Sequence, residues 1–194
     1  MVAGSLLPVA IHKNKLYFLF GKENEMADTP GFSDFGGRVE AGETPFRAAL
    51  REGAEELCGF LGDEKELEEL IKKNGGTYDM VKDKYHVHIF FIDYDENLPT
   101  HYNQNRRFLW SKLSETDKQL LEKTKLFEKG EIGWFSVNDM KKRVGEFRQF
   151  YQKTIGLIVK ESPKIRVFCN RNRIGSHNVT KKHISKLHLK TGGQ

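Results

Sequence analysis

Residues 36–57, GGRVEAGETPFRAALREGAEEL, set the strictest condition on this chain, because one helix must bury an apolar stripe and carry three carboxylates beside it. Gly36 and Gly37 make a turn. Thr44 and Pro45 are the residue types of an N-cap and a first helical position, and the helix is expected to end near Cys58 and Gly59. Phe46, Ala49, Leu50, Gly53 and Leu57 recur at the spacing of a buried face. Glu52, Glu55 and Glu56 fall at i, i+3 and i+4 along its edge, where like charges repel and partial burial sharpens the repulsion. Two arrangements meet the condition: a solvated acidic surface, the commoner fate of glutamates taken alone, or a cage for a divalent cation, which removes the conflict. Oxygen donors without a nearby His or Cys cluster suit magnesium or manganese rather than zinc. Glycine lets a backbone carbonyl approach such an ion, and Arg51, one turn before Glu55, is spaced to orient that carboxylate.

The remaining pattern predicts an α/β (α+β) domain with helices packed on a sheet. Residues 6–11 and 15–20 read as a hairpin across His12-Lys13-Asn14, and residues 21–31 as loop. A charge-rich helix is expected over 63–73, closed by Asn74-Gly75-Gly76. YHVHIFFIDY, residues 85–94, has the β-branched and aromatic content of a central strand, and EIGWFSV, residues 131–137, reads as another. Helices are also expected over 114–127, after an Asn138 cap, and over 147–159.

Composition narrows the class. The chain of 194 residues is 38% hydrophobic and 30% charged, enough for one domain with a core. It has no apolar run of membrane-spanning length and no basic-then-apolar leader, so a soluble cytoplasmic protein is expected. Cys58 and Cys169 are too few for a disulfide scaffold. Of 32 Lys or Arg, eight lie from residue 162 on, where no acidic residue occurs, so the preceding part, with all 27 Asp or Glu, is at −3. The expected organisation is a body over 1–161 and a basic C-terminal extension over 162–194. Arg166, Arg171, Arg173, Lys181, Lys182, Lys186 and Lys190 offer that extension phosphate contacts to a polyanion.

The box residues also resemble a known pattern. Gly37, Glu43, Arg51, Glu52, Glu55 and Glu56 fall in register with the Nudix box, a glycine, five residues, Glu, seven residues, then Arg-Glu-x-x-Glu-Glu. Cys58 stands where the family usually has glycine, Gly59 at its apolar site, and Gly53 where it has a larger side chain. The resemblance implies a Nudix-type α/β/α sandwich with a mixed sheet and hydrolysis of a diphosphate linkage with Mg2+ or Mn2+. It further implies that Glu52, Glu55 and Glu56 hold metal with a carbonyl of Gly36 or Gly37, that Glu52 or Glu55 handles the attacking water, that Arg51 fixes the carboxylates and that Glu43 braces the loop. Members often recruit one more acid from outside the box; Glu131 is the candidate here and Glu128 the fallback.

GFSDFGGRVEAGETPFRAALREGAEELCGFLG and FEKGEIGWFSVNDM are, more loosely, similar to Nudix enzymes of large cytoplasmic DNA viruses, some of which remove the cap of mRNA. That resemblance implies a decapping enzyme that acts on capped RNA and releases methylated GDP. Phe32, Phe35 and Trp110 are the aromatics expected to be exposed enough to stack on the cap guanine, and Lys181 and Lys182 are expected to bind substrate. Two alternatives stay open: hydrolysis of diphosphoinositol polyphosphates or free nucleotide diphosphate derivatives, and a catalytically inactive RNA-binding module.

Overall fold

The structure is a computed structural model that describes residues 1–24, 27–113 and 128–188, with side chains as far as residue 172. Strand β1 (Ala3–His12) sends alternate residues to opposite faces, Leu6 to one side and Leu7 and Val9 to the other. It turns back through Lys13 and Asn14, both in the left-handed region, into β2 (Lys15–Glu23), which runs three residues into the expected loop. Short strands β3 (Phe32–Ser33) and β4 (Phe35–Arg38) carry the chain past β2 and onto the first half of β1.

Helix α1 (Pro45–Glu56) begins as its residue types dictate, with the Thr44 hydroxyl accepting from the Arg47 N–H at 3.2 Å. Leu57 caps its end, and Cys58 follows at a φ of 50°, the left-handed region that favours glycine. Helix α2 (Glu64–Lys73) opens on a reciprocal capping box between Asp63 and Glu66. Two strands then form a hairpin, β5 (Thr77–Lys82) and β6 (Tyr85–Phe91), and β6 pairs parallel with β1. The first of these has no counterpart in the expected pattern. Helix α3 (Leu98–Leu113) was also not anticipated, and the helix expected over 114–127 lies outside the described residues.

Strand β7 (Lys129–Ser136) pairs antiparallel with β2. Ser136, not Asn138, caps α4 (Val137–Lys142), because the Ser136 hydroxyl and the Asp139 carboxylate satisfy each other's backbone N–H groups. The helix expected over 147–159 starts later. Phe147 is held extended by its packing on Phe20, with ring centroids 5.0 Å apart, and α5 spans Gln152–His188. Pro163 inside α5 has no N–H for the Val159 carbonyl, which accepts from the Ser162 hydroxyl at 2.8 Å instead.

The mixed sheet runs β3-β2-β1-β6-β5, with β4 against β1 and β7 against β2. On one face, Leu6, Phe90 and Ile92 meet Ala49 and Leu50 of α1 and Leu67 and Ile71 of α2, while Leu19, Phe35 and Ile132 meet Leu57 and Tyr102 of α3. On the other, Leu7, Phe18, Phe20 and Ile89 meet Tyr151, which precedes α5, Ile155, Ile158 and Ile165 of α5, and Met140 of α4. This is an α/β/α sandwich. Among the described residues no helix is long and apolar enough to cross a membrane.

Candidate active site

The glutamates of α1 reach the sheet where β4 delivers Gly36 and Gly37. A Cβ on Gly37 would lie 2.4 Å from the Glu52 carboxyl carbon, so glycine is what allows that carboxylate against the strand. Gly53 has an equally local reason: a Cβ there would meet Leu6 at 2.8 Å, so Leu6 fills the space of the larger side chain the family usually has.

Arg51 braces the entry to the helix. Its guanidinium donates to both Glu43 oxygens at 2.9 and 3.0 Å, to the Arg38 carbonyl at 3.2 Å and to Glu52 Oε1 at 2.8 Å. Hydrogen bonding from Arg51 holds the Glu43 carboxyl well below its usual range, at about 2. Arg51 thus orients Glu52 rather than Glu55, to which the one-turn spacing had pointed. Glu55 is exposed and makes no ion pair among the described residues.

Glu56 is 6% exposed, and both its oxygens have partners: Oε2 accepts from the Gly36 N–H at 2.9 Å and Oε1 lies 3.2 Å from the Lys129 ammonium. Burial pushes its carboxyl up to about 8, against the opposing pull of Lys129, while Glu23 and Glu128 add to the rise. Lys129 is itself 1% exposed. Its stem crosses Gly21, where a Cβ would come within 2.8 Å, and its ammonium donates to Glu23 Oε1 at 2.5 Å and to Ser33 Oγ at 3.1 Å. Burial alone would lower the lysine, but Glu56 and Glu23 outweigh it and raise it. Arg148 closes the row, donating to Glu23 at 2.7 Å and to Thr29 at 2.5 Å. The Tyr102 hydroxyl ties the Glu56 carbonyl, at 2.8 Å, to the first residue of β7.

A third buried acid, after Glu52 and Glu56, lies behind the turn. Asp34 accepts from the hydroxyls of Ser5 at 2.6 Å and Tyr85 at 2.5 Å, and burial raises its carboxyl.

The structure brings Arg51, Glu52, Glu56 and Gly37 together, with Glu55 on the outer face of the same helix. Glu131 stays outside this set: it faces Lys22 across the β2–β7 ladder at 3.5 Å, both half-exposed. Glu128 acts electrostatically on Glu56 instead. Phe32 and Phe35 are not exposed rings. Phe32 is 5% exposed and packs on Phe135 with centroids 4.8 Å apart, and Phe35 is fully buried with Leu57 and Tyr102, because each points inward from a short strand of the sheet. Trp110, partly exposed on α3, has the Arg106 guanidinium 4.2 Å from its ring centre. Lys181 and Lys182 fall in the last turns of α5, whose side chains lie outside the described residues. The sequence reading missed Glu23, Asp34, Lys129 and Arg148; each carries no local signal and acquires its place only through partners far along the chain.

Among the described residues no three acidic, His or Cys side chains are already gathered as a finished metal cluster. The donor chemistry nevertheless fits a hard cation. Glu52 and Glu56 are held at a glycine turn by partners that leave lone pairs on each carboxylate, and Glu55 is open beside them.

A family model described as the NUDIX domain matches residues 11–154. Among solved structures, the chain is similar to a C. elegans Ap4A hydrolase in a binary complex, with 15% identity over 84% of this chain and 98% of that one and a TM-score of 0.49. It is also similar to a mutT/nudix family protein from Listeria innocua, with 14% identity over 86% and 95% of the two chains and a TM-score of 0.40. A NUDIX hydrolase from Nitrosomonas europaea has 14% identity over 84% and 91%, with a TM-score of 0.38. No curated protein matches significantly.

Proposed function

The chain belongs to the NUDIX domain family and is a hydrolase of pyrophosphate bonds, and from that premise we propose that its substrate is the 5′ cap of mRNA, released as methylated GDP. In this reading Glu52, Glu55 and Glu56, with a backbone carbonyl of Gly37, hold Mg2+ or Mn2+. When bound, such a cation neutralises charge on phosphate oxygens and acidifies a coordinated water. Arg51 keeps Glu52 in line. Lys129 and the Gly36 N–H hold Glu56 from its inner side. Glu55, the carboxylate open to solvent, takes the proton of the attacking water, and Glu128 rather than Glu131 is the outside acid that tunes the set.

The observation that carries the choice of RNA is the charge of the chain from residue 162 on, eight basic residues and no acidic one. A free nucleotide has no use for that length of positive charge; a polyanion does.

The test is release of methylated GDP from cap-labelled RNA with Mg2+ or Mn2+, with Glu55→Gln alongside. Release by the wild type and its loss in the variant support the reading; release by neither, with both folded, overturns it. Burial of Phe32 and Phe35 favours one second reading, a diphosphoinositol polyphosphate, whose dense charge needs no base to be stacked. Faster turnover of that compound or of free nucleotides than of capped RNA selects it. An inactive RNA-binding module would release nothing under any divalent cation.

A further inference from the structure

The far end of the sheet carries a second, oppositely charged feature. Lys15 at the start of β2, Lys141 on α4 and Arg166 on α5 line one cavity of about 520 Å³. Among the described residues neither lysine has an acidic partner, and Arg166 donates only to the Asn14 carbonyl, at 3.2 Å. The cavity's one acidic side chain, Asp139, is held by the N–H and hydroxyl of Ser136 in the α4 cap. Three cations from three elements thus line one hollow without a carboxylate set against them. Such a lining suits an anion.

The hollow and the Glu23 end of the site lie at opposite ends of the same two elements. Helix α5 begins just after Arg148, which sits on Glu23, and reaches the cavity at Arg166; from Gln152 that is ~21 Å at the helical rise. Strand β2 covers a similar span, with Glu23 at the catalytic end and Lys15 at the hollow, ~26 Å at the strand rise. Lys153 and Lys160, seven residues apart on α5, are exposed between the two ends. No single nucleotide bridges this distance, whereas a strand of several does, with its phosphates against the lysines.

We propose that the hollow at Lys15, Lys141 and Arg166 binds backbone phosphates of single-stranded RNA whose 5′ end lies at the box, an inference that rests on the capped-RNA reading above. The hollow makes the enzyme a reader of RNA length: a substrate that ends after the cap never reaches it.

The test compares wild type with Lys15→Ala/Lys141→Ala/Arg166→Ala, whose folding is checked by thermal unfolding. Binding of a long uncapped single-stranded RNA is followed by fluorescence anisotropy across a salt series. Loss of three phosphate contacts reduces the slope of log affinity against log salt by roughly 2. In turnover, the ratio of kcat/KM for long capped RNA to that for a capped dinucleotide falls several-fold. An unchanged slope and ratio overturn the hollow while leaving decapping intact. A reduced slope in a protein that releases no methylated GDP supports the hollow and overturns the decapping reading. Displacement of the RNA by polyglutamate at equal charge concentration overturns RNA as its occupant.

Discussion

Replacing Lys129 with methionine removes a charge and keeps the stem. In the native protein the ammonium is enclosed, 2.5 Å from Glu23 and 3.2 Å from Glu56, and the gap over Gly21 is shaped for its methylenes. Deleting one partner of a buried ion pair costs about 3–5 kcal/mol, because the charge left behind has no compensation. Two features put Lys129→Met near the lower bound: Glu23 keeps Arg148 at 2.7 Å, and Glu56 keeps the Gly36 N–H at 2.9 Å. The expected loss is ~3 kcal/mol, or ~10 °C in Tm for a domain of this size. Urea unfolding in metal-free buffer near neutral pH measures it. Adding Glu23→Gln removes one of the two facing carboxylates and returns ~1 kcal/mol, so the double variant is more stable than the Lys129 single variant. Mn2+ stabilises Lys129→Met more than wild type, since the cation enters a site one charge more negative. Unfolding of Lys129→Met at the wild-type urea concentration, or a Glu23→Gln change that deepens its loss, would falsify the assignment of the lysine as the counter-charge of this pair.

Gly37→Ala drives a methyl group into the Glu52 carboxyl carbon, so Mn2+ affinity measured by electron paramagnetic resonance drops at least tenfold while circular dichroism is retained; wild-type affinity would refute the close approach. Glu43 has a folded pKa depressed from 4.5 to about 2, so its pairing with Arg51 adds stability that is fully present above pH ~4.5 and lost as pH falls towards 2. The stability gap between wild type and Glu43→Gln should close over that window, and a gap constant down to pH 2 would show that the pairing contributes nothing. Phe32→Ala should cost about 3–5 kcal/mol in urea unfolding, as for a core aromatic. A stable variant with weakened substrate binding would instead make Phe32 a contact ring.

Legibility in the sequence followed locality. Helix α1 was readable at its start to the residue because its cap and first position lie in one stretch, while its end at Glu56 came two residues before the expected Cys58. Strands β1, β2, β6 and β7 were readable because each buries residues strongly enough to impose a pattern. Strand β5 was not: it is an edge in which Met80 alone is fully buried. Phe32 and Phe35 were misjudged because a short strand beside glycines resembles an exposed loop until the layer that covers it is known. Glu52 and Glu56 could be singled out by spacing, but the cation set against them could not. A lysine at the head of a strand reads as solvated, and only the tertiary meeting of β7 with β2 and α1 buries it.

The row Arg148-Glu23-Lys129-Glu56 also has an order in time. Its partners are 106 and 125 residues apart along the chain, and chains grow from the N-terminus. On the ribosome the acidic helix is complete long before the residues that neutralise its inner side have been synthesised. A chain halted after β6 therefore holds every glutamate of the box with neither Lys129 nor Arg148. Assembly of this buried row is a late, long-range event, set by arrival of the last strand rather than by folding of the helix that bears the carboxylates.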